Sequence, residues 1–357
     1  MQSETDSSGS GGAVQPVDLR SDTVTRPTAA MYELMRSAPL GDDGLDGDPT
    51  VRELEALVAA TLGKEAGLFV PSATMGNLLA TLSQAQRQEQ VVLESMAHMY
   101  TAERGSATFT GLFYLGVPGA AGAMDVGLLD EALQVGGNKL KTALVCVETS
   151  HNNAGGAVLP LPHMQVVYEM AQSRGVRVHL DGARLFNAAV ALHVRPADLA
   201  RYADTVSLCL SKGLSAPVGA VLVGPRATMD TARRLRKMLG GSQRQAGVVA
   251  AAGIEAVRVM GARLGEDHAR ALKLSRALNA MHGRLSATVP QTNIVQVDVS
   301  KTGRDSSQWA FDLERAGLMT RPWGKQRLRC VTHRHIGDVE LERAIQAFRK
   351  ASATAFS

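Results

Sequence analysis

The chain has 357 residues, 45% hydrophobic and 20% charged, with a net charge of +4, which is enough apolar material for a large core or two domains. Lysines and arginines lie scattered among aspartates and glutamates, and no basic run is interleaved with aromatics, so the composition speaks against nucleic-acid binding. No apolar run has the length of a membrane span, and Cys146, Cys209 and Cys330, odd in number and far apart, have the pattern of buried thiols in a reduced compartment.

The opening MQSETDSSGSGG lacks the basic and apolar regions of a secretion signal. It is expected to be a disordered tail ending near Pro16, on a soluble, cytoplasmic protein. DPTVRELEALVAATLGK predicts a helix, with Asp48 as N-cap, Pro49 in the first turn and Gly63 at the end. AGLFVPS predicts a short strand, and TMGNLLATLSQAQ a second helix. VVLES, TALVCVE, VRVHLD, DTVSLCLS and GAVLVG are further strand-like runs, separated by helical patterns such as HMQVVYEMAQSRG. Continuous apolar strands alternating with helices imply an α/β fold with a mainly parallel sheet. From about residue 250 the strand-like runs thin out and helices rich in Ala and Arg take over. The expected division is a tail over 1–16, a large domain over 17–250 and a smaller C-terminal α+β domain over 251–357.

Ligands of open α/β sheets bind outside the carboxyl ends of the strands. Four predicted strand ends carry chemistry: Asp181 and Arg184 after VRVHLD, Ser211 and Lys212 after DTVSLCLS, Glu148 and His151 after TALVCVE, and His98 after VVLES. Taken singly, the acids read as helix caps, the histidines as core or surface residues, and the lysine as a surface residue. Together they suggest a lysine and a carboxylate in a desolvated pocket. A lysine amine forms a Schiff base with a carbonyl, and pyridoxal phosphate uses that link while its ring nitrogen needs an anionic partner. Asp181 is the candidate partner. The phosphate needs donors at a helix N-terminus, and VPSATMGNLL supplies Ser72, Ala73 and Thr74 between a strand and a helix. His333 and His335 in THRHIGD share a face if extended, but no third ligand lies at a recognisable spacing, so no metal site is expected.

VDLRSDTVTRPTAAM, VHLDGARLFNAAVA, SLCLSKGLSAPVGAVLVG and RRLRKMLGGSQRQAGVVAAAG together resemble the low-specificity L-threonine aldolase family, pyridoxal-phosphate enzymes of the aspartate-aminotransferase fold type. The resemblance runs from about residue 17 to about 340. It implies a seven-stranded, mainly parallel sheet flanked by helices (fold type I), with Lys212 as the Schiff-base lysine and Asp181 on the ring nitrogen. It further implies His98 stacked on the ring, Ser72, Ala73 and Thr74 on the phosphate, and Ser21, Arg184 and Arg329 on the substrate carboxylate. Arg244 is expected from a neighbouring subunit, in a homotetramer with sites at dimer interfaces. The implied reaction is retro-aldol cleavage of L-β-hydroxy-α-amino acids to glycine and an aldehyde, with His98, His151 or a held water as base. The chain departs from the family in reading PSAT at 71–74 where PTGT is common, and in placing Leu45 where an aromatic is usual. Leu45 is expected either to pack under its own loop or to line the mouth of the site as a wall for the substrate's β-substituent, which would favour bulky apolar substrates such as phenylserine. The alternatives are an aminotransferase or β-eliminating lyase of the same fold, or a non-catalytic cofactor-binding protein.

Overall fold

The computed structural model describes residues 15–134, 136, 140–281 and 283–356, with side chains in the last helix described to residue 353. Residues 1–14 of the expected tail therefore lie outside the described residues. The large sheet has seven strands, in the order Ala66–Val70, Ala220–Gly224, Thr205–Cys209, Arg177–Gly182, Thr142–Glu148, Gln90–Glu94, Phe113–Val117. Only Ala220–Gly224 runs antiparallel to its neighbours. Thr205–Cys209 and Ala220–Gly224 are buried along their whole length, as expected of strands covered on both faces by helices.

Six of these strands are the runs predicted from sequence. The seventh, Phe113–Val117, is the outer edge. It exposes Phe113 (53%) and Leu115 (38%) to solvent and so lacks the continuous apolar signature.

Helix Pro49–Leu62 starts where Asp48 accepts from the amides of Thr50 and Val51, and it ends at Gly63, whose φ of 65° is left-handed. Helix Ala73–Gln84 is capped by Ser72, which accepts from the amide of Met75. A Cβ added at Gly76 would stand 2.6 Å from Ser207 Oγ, so this helix lies close against the Thr205–Cys209 strand. That approach brings Ala73 and Thr74 to the carboxyl end of the sheet.

The C-terminal part builds a second core around a four-stranded antiparallel sheet, in the order Ser286–Ala287, Ile294–Asp298, Arg327–Val331, Arg321–Pro322. Val17 and Leu19 belong to that core, because Val17–Asp18 pairs in parallel with Leu318–Met319. The chain then crosses to the large sheet, whose core extends as far as Leu264. Residues 21–25 lie on this crossing. All three cysteines are buried and free, and among the described residues no helix is long and apolar enough to cross a membrane.

Candidate active site

A cleft of about 460 Å3 opens at the carboxyl ends of the large sheet, and Lys212, Asp181, His98, Thr74, Arg184 and Arg329 all line it. Lys212 follows the Thr205–Cys209 strand. Its carbonyl accepts from Thr25 Oγ1 at 2.8 Å and from the amide of Ser215 at 2.9 Å. The N-terminal crossing thus pins the turn that presents the lysine. Ser215 is buried at a left-handed φ of 65°, which closes that turn.

Asp181 is buried at the end of its strand. Oδ1 accepts from the amide of Ala183 at 3.0 Å, and Oδ2 from Asn77 Nδ2 at 3.1 Å. Burial, with Glu148 and Glu103 nearby, pushes its pKa up to about 6 against the opposing pull of Lys212 and His98. A cation bound beside Asp181 would relieve that penalty.

His98 begins a short turn, where its amide donates to Glu148 Oε2 at 2.6 Å. Its Nδ1 lies 2.8 Å from Glu103 Oε1, and that hydrogen bond holds its pKa above the ordinary histidine value. Glu103 also accepts from Thr74 Oγ1 at 3.2 Å.

His151 does not line the cleft. Its side chain is 0% exposed, with Nε2 3.0 Å from Glu94 Oε2 and Nδ1 accepting from the amide of Ala154 at 3.2 Å. Burial alone would lower its pKa, but the bond to Glu94 and the charge of Glu148 leave it raised.

Two arginines face the same space in different states. Arg184 gives Nε and Nη2 to Asp22 at 2.8 and 2.7 Å, so its fork is largely committed within the protein. Burial would raise the Asp22 carboxyl, but the Arg184 guanidinium holds it well below the usual carboxylate range. Arg329 is buried, and its Nε has no hydrogen-bond partner among the described residues. Burial, with the charge of Arg184 beside it, pushes its pKa down to about 10. Its guanidinium carbon lies 4.9 Å from the centroid of the Trp323 ring. A buried guanidinium short of a partner is a ready site for a carboxylate.

Ser21 and Ala73 line the cleft, whereas Ser72 and Ser211 do not. Arg244 and Leu45 are outside the cleft of their own chain, 73% and 77% exposed respectively. They are joined, because Arg244 Nη1 donates to Asp42 Oδ2 at 3.0 Å and the amide of Asp43 donates to the Arg244 carbonyl at 3.0 Å. His333 and His335 are used by backbone: His333 Nε2 donates to the Asp18 carbonyl at 2.8 Å, and the Arg26 amide donates to His335 Nε2 at 3.1 Å.

Sequence reading did not single out Asp22, Asn77, Glu103, Arg321 or Trp323 as site residues. Glu103 had a local signal, five positions after His98. Asp22 and Asn77 act through partners distant in sequence and had none.

A lysine and a buried acid share this cleft with the N-terminus of the Ala73–Gln84 helix, whose free amides suit an anion. These residues fit pyridoxal phosphate, and with the seven-stranded sheet they define a pyridoxal-phosphate enzyme of fold type I. The family model described as beta-eliminating lyase matches residues 18–302. A low-specificity L-threonine aldolase of Arabidopsis thaliana is 39% identical over 349 residues, 96% of this chain and 98% of its own. The low specificity L-threonine aldolase of Escherichia coli K12 is 42% identical over 265 residues, 73% of this chain and 79% of its own. A threonine aldolase structure from Leishmania major, at 18% identity, superposes with a TM-score of 0.80 over 94% of this chain and 100% of that one, a likeness of fold. The chain belongs to the low-specificity L-threonine aldolase family of the beta-eliminating lyases.

Proposed function

We propose that this enzyme cleaves the Cα–Cβ bond of L-β-hydroxy-α-amino acids, as an aldehyde-lyase of the EC 4.1.2 type, and releases glycine and an aldehyde. The observation that carries the reading is one cleft holding Lys212, Asp181 and the partner-seeking Arg329, in a chain close to relatives named threonine aldolases. Bound pyridoxal phosphate supplies an electron sink for a bond broken at Cα.

The chain's own residues do the rest. Lys212 holds the cofactor through its amine, and Asp181 holds the proton on the ring nitrogen. Ser72, Ala73 and Thr74 bind the phosphate at the helix N-terminus, with Ser211 beside the lysine. Arg329 takes the substrate carboxylate, with Ser21 at hand, while Arg184 stays on Asp22 and lends charge. Fixing the carboxylate decides which Cα bond lies in line for cleavage. His98 is the imidazole placed for proton work on the β-hydroxyl, since its Nε2 is the ring nitrogen that Glu103 does not engage. His151, locked to Glu94, supports the floor of the site.

Arg244 serves the site of a neighbouring subunit, in a homotetramer acting in the cytoplasm. Its tie to the Asp42–Asp43 loop supports assigning Leu45 to the same neighbouring site. There Leu45 forms an apolar wall that favours a phenyl over a methyl β-substituent. Burying a phenyl group is worth roughly 1.5–3 kcal/mol against about 0.8 kcal/mol for one methyl.

The test is product analysis with threonine, allo-threonine, serine and phenylserine. Aldehyde and glycine in equal amounts support the reading. Ammonia and a keto acid indicate β-elimination, and a keto acid formed only with an amino acceptor indicates transamination. A shifted cofactor spectrum without product indicates a binding protein. A kcat/KM ratio that favours phenylserine by one or two orders of magnitude, and shrinks in Leu45→Tyr, supports the wall. A preference for threonine contradicts it.

A further inference from the structure

Asn77 lies one turn into the helix whose N-terminus opens on the cleft, and it is buried. Its Nδ2 donates to Asp181 Oδ2 at 3.1 Å and lies 3.4 and 3.3 Å from the two carboxylate oxygens of Glu103. Its Oδ1 is 3.1 Å from His179 Nε2, and His179 Nδ1 is 2.9 Å from Thr205 Oγ1. Gln84 Nε2 donates to that hydroxyl at 2.9 Å.

Charge fixes the orientation of Asn77, and the remaining directions follow from it. An amide turned the other way would aim its oxygen at two carboxylates. Asn77 therefore offers Oδ1 to His179, and the imidazole proton sits on Nε2. Nδ1 is then left to accept from Thr205, whose oxygen is free to accept from Gln84. Burial keeps His179 neutral, its pKa lowered to about 4, so one tautomer serves throughout. Donation runs one way, from Gln84 through Thr205 and His179 to Asn77, and ends on two anions.

We propose that Asn77 is a positioning residue: oriented by His179, it ties Asp181 to Glu103, and so fixes together the carboxylate under the cofactor's ring nitrogen and the carboxylate that holds His98. This rests on the reading of Asp181 as the ring-nitrogen partner. Ala183 fixes Oδ1 of Asp181 independently, so it is Oδ2 whose place depends on Asn77. Neighbouring carboxylates repel, and donors shared between them are what keep both charged and close. Without Asn77 the two move apart or one takes a proton, and the stacked His98 loses its register with the ring nitrogen.

The test measures pyridoxal-phosphate affinity of the full chain by visible absorbance, together with ring 15N shifts of His179 in the wild-type protein. The expected tautomer carries its proton on Nε2. Asn77→Leu is expected to weaken cofactor binding roughly 10- to 100-fold, the worth of one hydrogen bond to a charged group. Adding Glu103→Gln removes one charge and supplies an amide beside Asp181, so the double variant should recover much of that loss. A proton on Nδ1, unchanged affinity in Asn77→Leu, or the same loss with and without Glu103→Gln overturns the proposal. Should Asn77→Leu fail to fold, the wild-type tautomer decides. Asp181→Asn separates the two claims. Unchanged affinity and spectrum there overturn the reading of Asp181, while a loss there with none in Asn77→Leu overturns the role of Asn77 alone.

Discussion

Arg329 and Glu103 show what single side chains do here. Removing one partner of a buried charged pair costs about 2–5 kcal/mol in binding. Arg329→Ala is therefore expected to raise KM for every amino acid tested, whatever its side chain. A loss confined to one substrate would place Arg329 beside the β-substituent. Glu103 holds the pKa of His98 above its ordinary value of about 6.5. The stability from that bond is full below about pH 6.5 and fades as pH rises through the raised value. Glu103→Gln should move the His98 titration, followed by NMR, down toward the ordinary value and flatten stability across that window; an unmoved midpoint would show that Glu103 does not govern His98. Lys212 and Asp181 were legible in the sequence because each stands at or just beyond the carboxyl end of an apolar strand, where a polar residue needs a reason. Asn77 was not, because its meaning lies in a bond to Asp181, 104 positions away. Asp22 likewise stands inside a recognisable segment, yet only the fold reveals that it occupies the Arg184 fork.

At the scale of elements, the strands buried on both faces were readable as uninterrupted apolar runs. Phe113–Val117 was not, since an edge strand with one wet face mixes exposed and buried positions and carries a glycine. The C-terminal sheet was faint for another reason: two of its four strands have two residues each, too short for any periodicity. The packing of helix Ala73–Gln84 on the Thr205–Cys209 strand turns on the absence of a side chain at Gly76. Gly76→Ala should cost roughly 1–3 kcal/mol by overpacking and weaken cofactor binding, because it pushes outward the helix end proposed to hold the phosphate. Ser207→Ala removes the oxygen that a Cβ at Gly76 would strike, so the pair of changes should regain much of the lost Tm and affinity. No recovery in the double variant would mean that the contact with Ser207 is not what sets the helix.

For the whole molecule, the N-terminal crossing joins the two cores and delivers Thr25 to the lysine turn, so folding of the C-terminal core and presentation of Lys212 are linked. The proposed sharing of sites between subunits has a direct consequence. Inactive Lys212→Ala and Arg244→Ala proteins, dissociated and reassembled together, should regain activity up to about a quarter of wild type. Random pairing makes half of the dimers hybrids with one complete site each. Absence of recovery would confine Arg244 to its own chain. The central claim, that Lys212 in this cleft carries the cofactor and hence the cleavage, is tested most directly by one paired measurement on Lys212→Ala: visible absorbance of the purified protein and aldehyde release from a β-hydroxy amino acid. The account predicts a folded protein without the yellow lysine-bound absorbance and with nearly all cleavage lost. A folded Lys212→Ala protein that keeps that absorbance, or cleaves at near the wild-type rate, would contradict it.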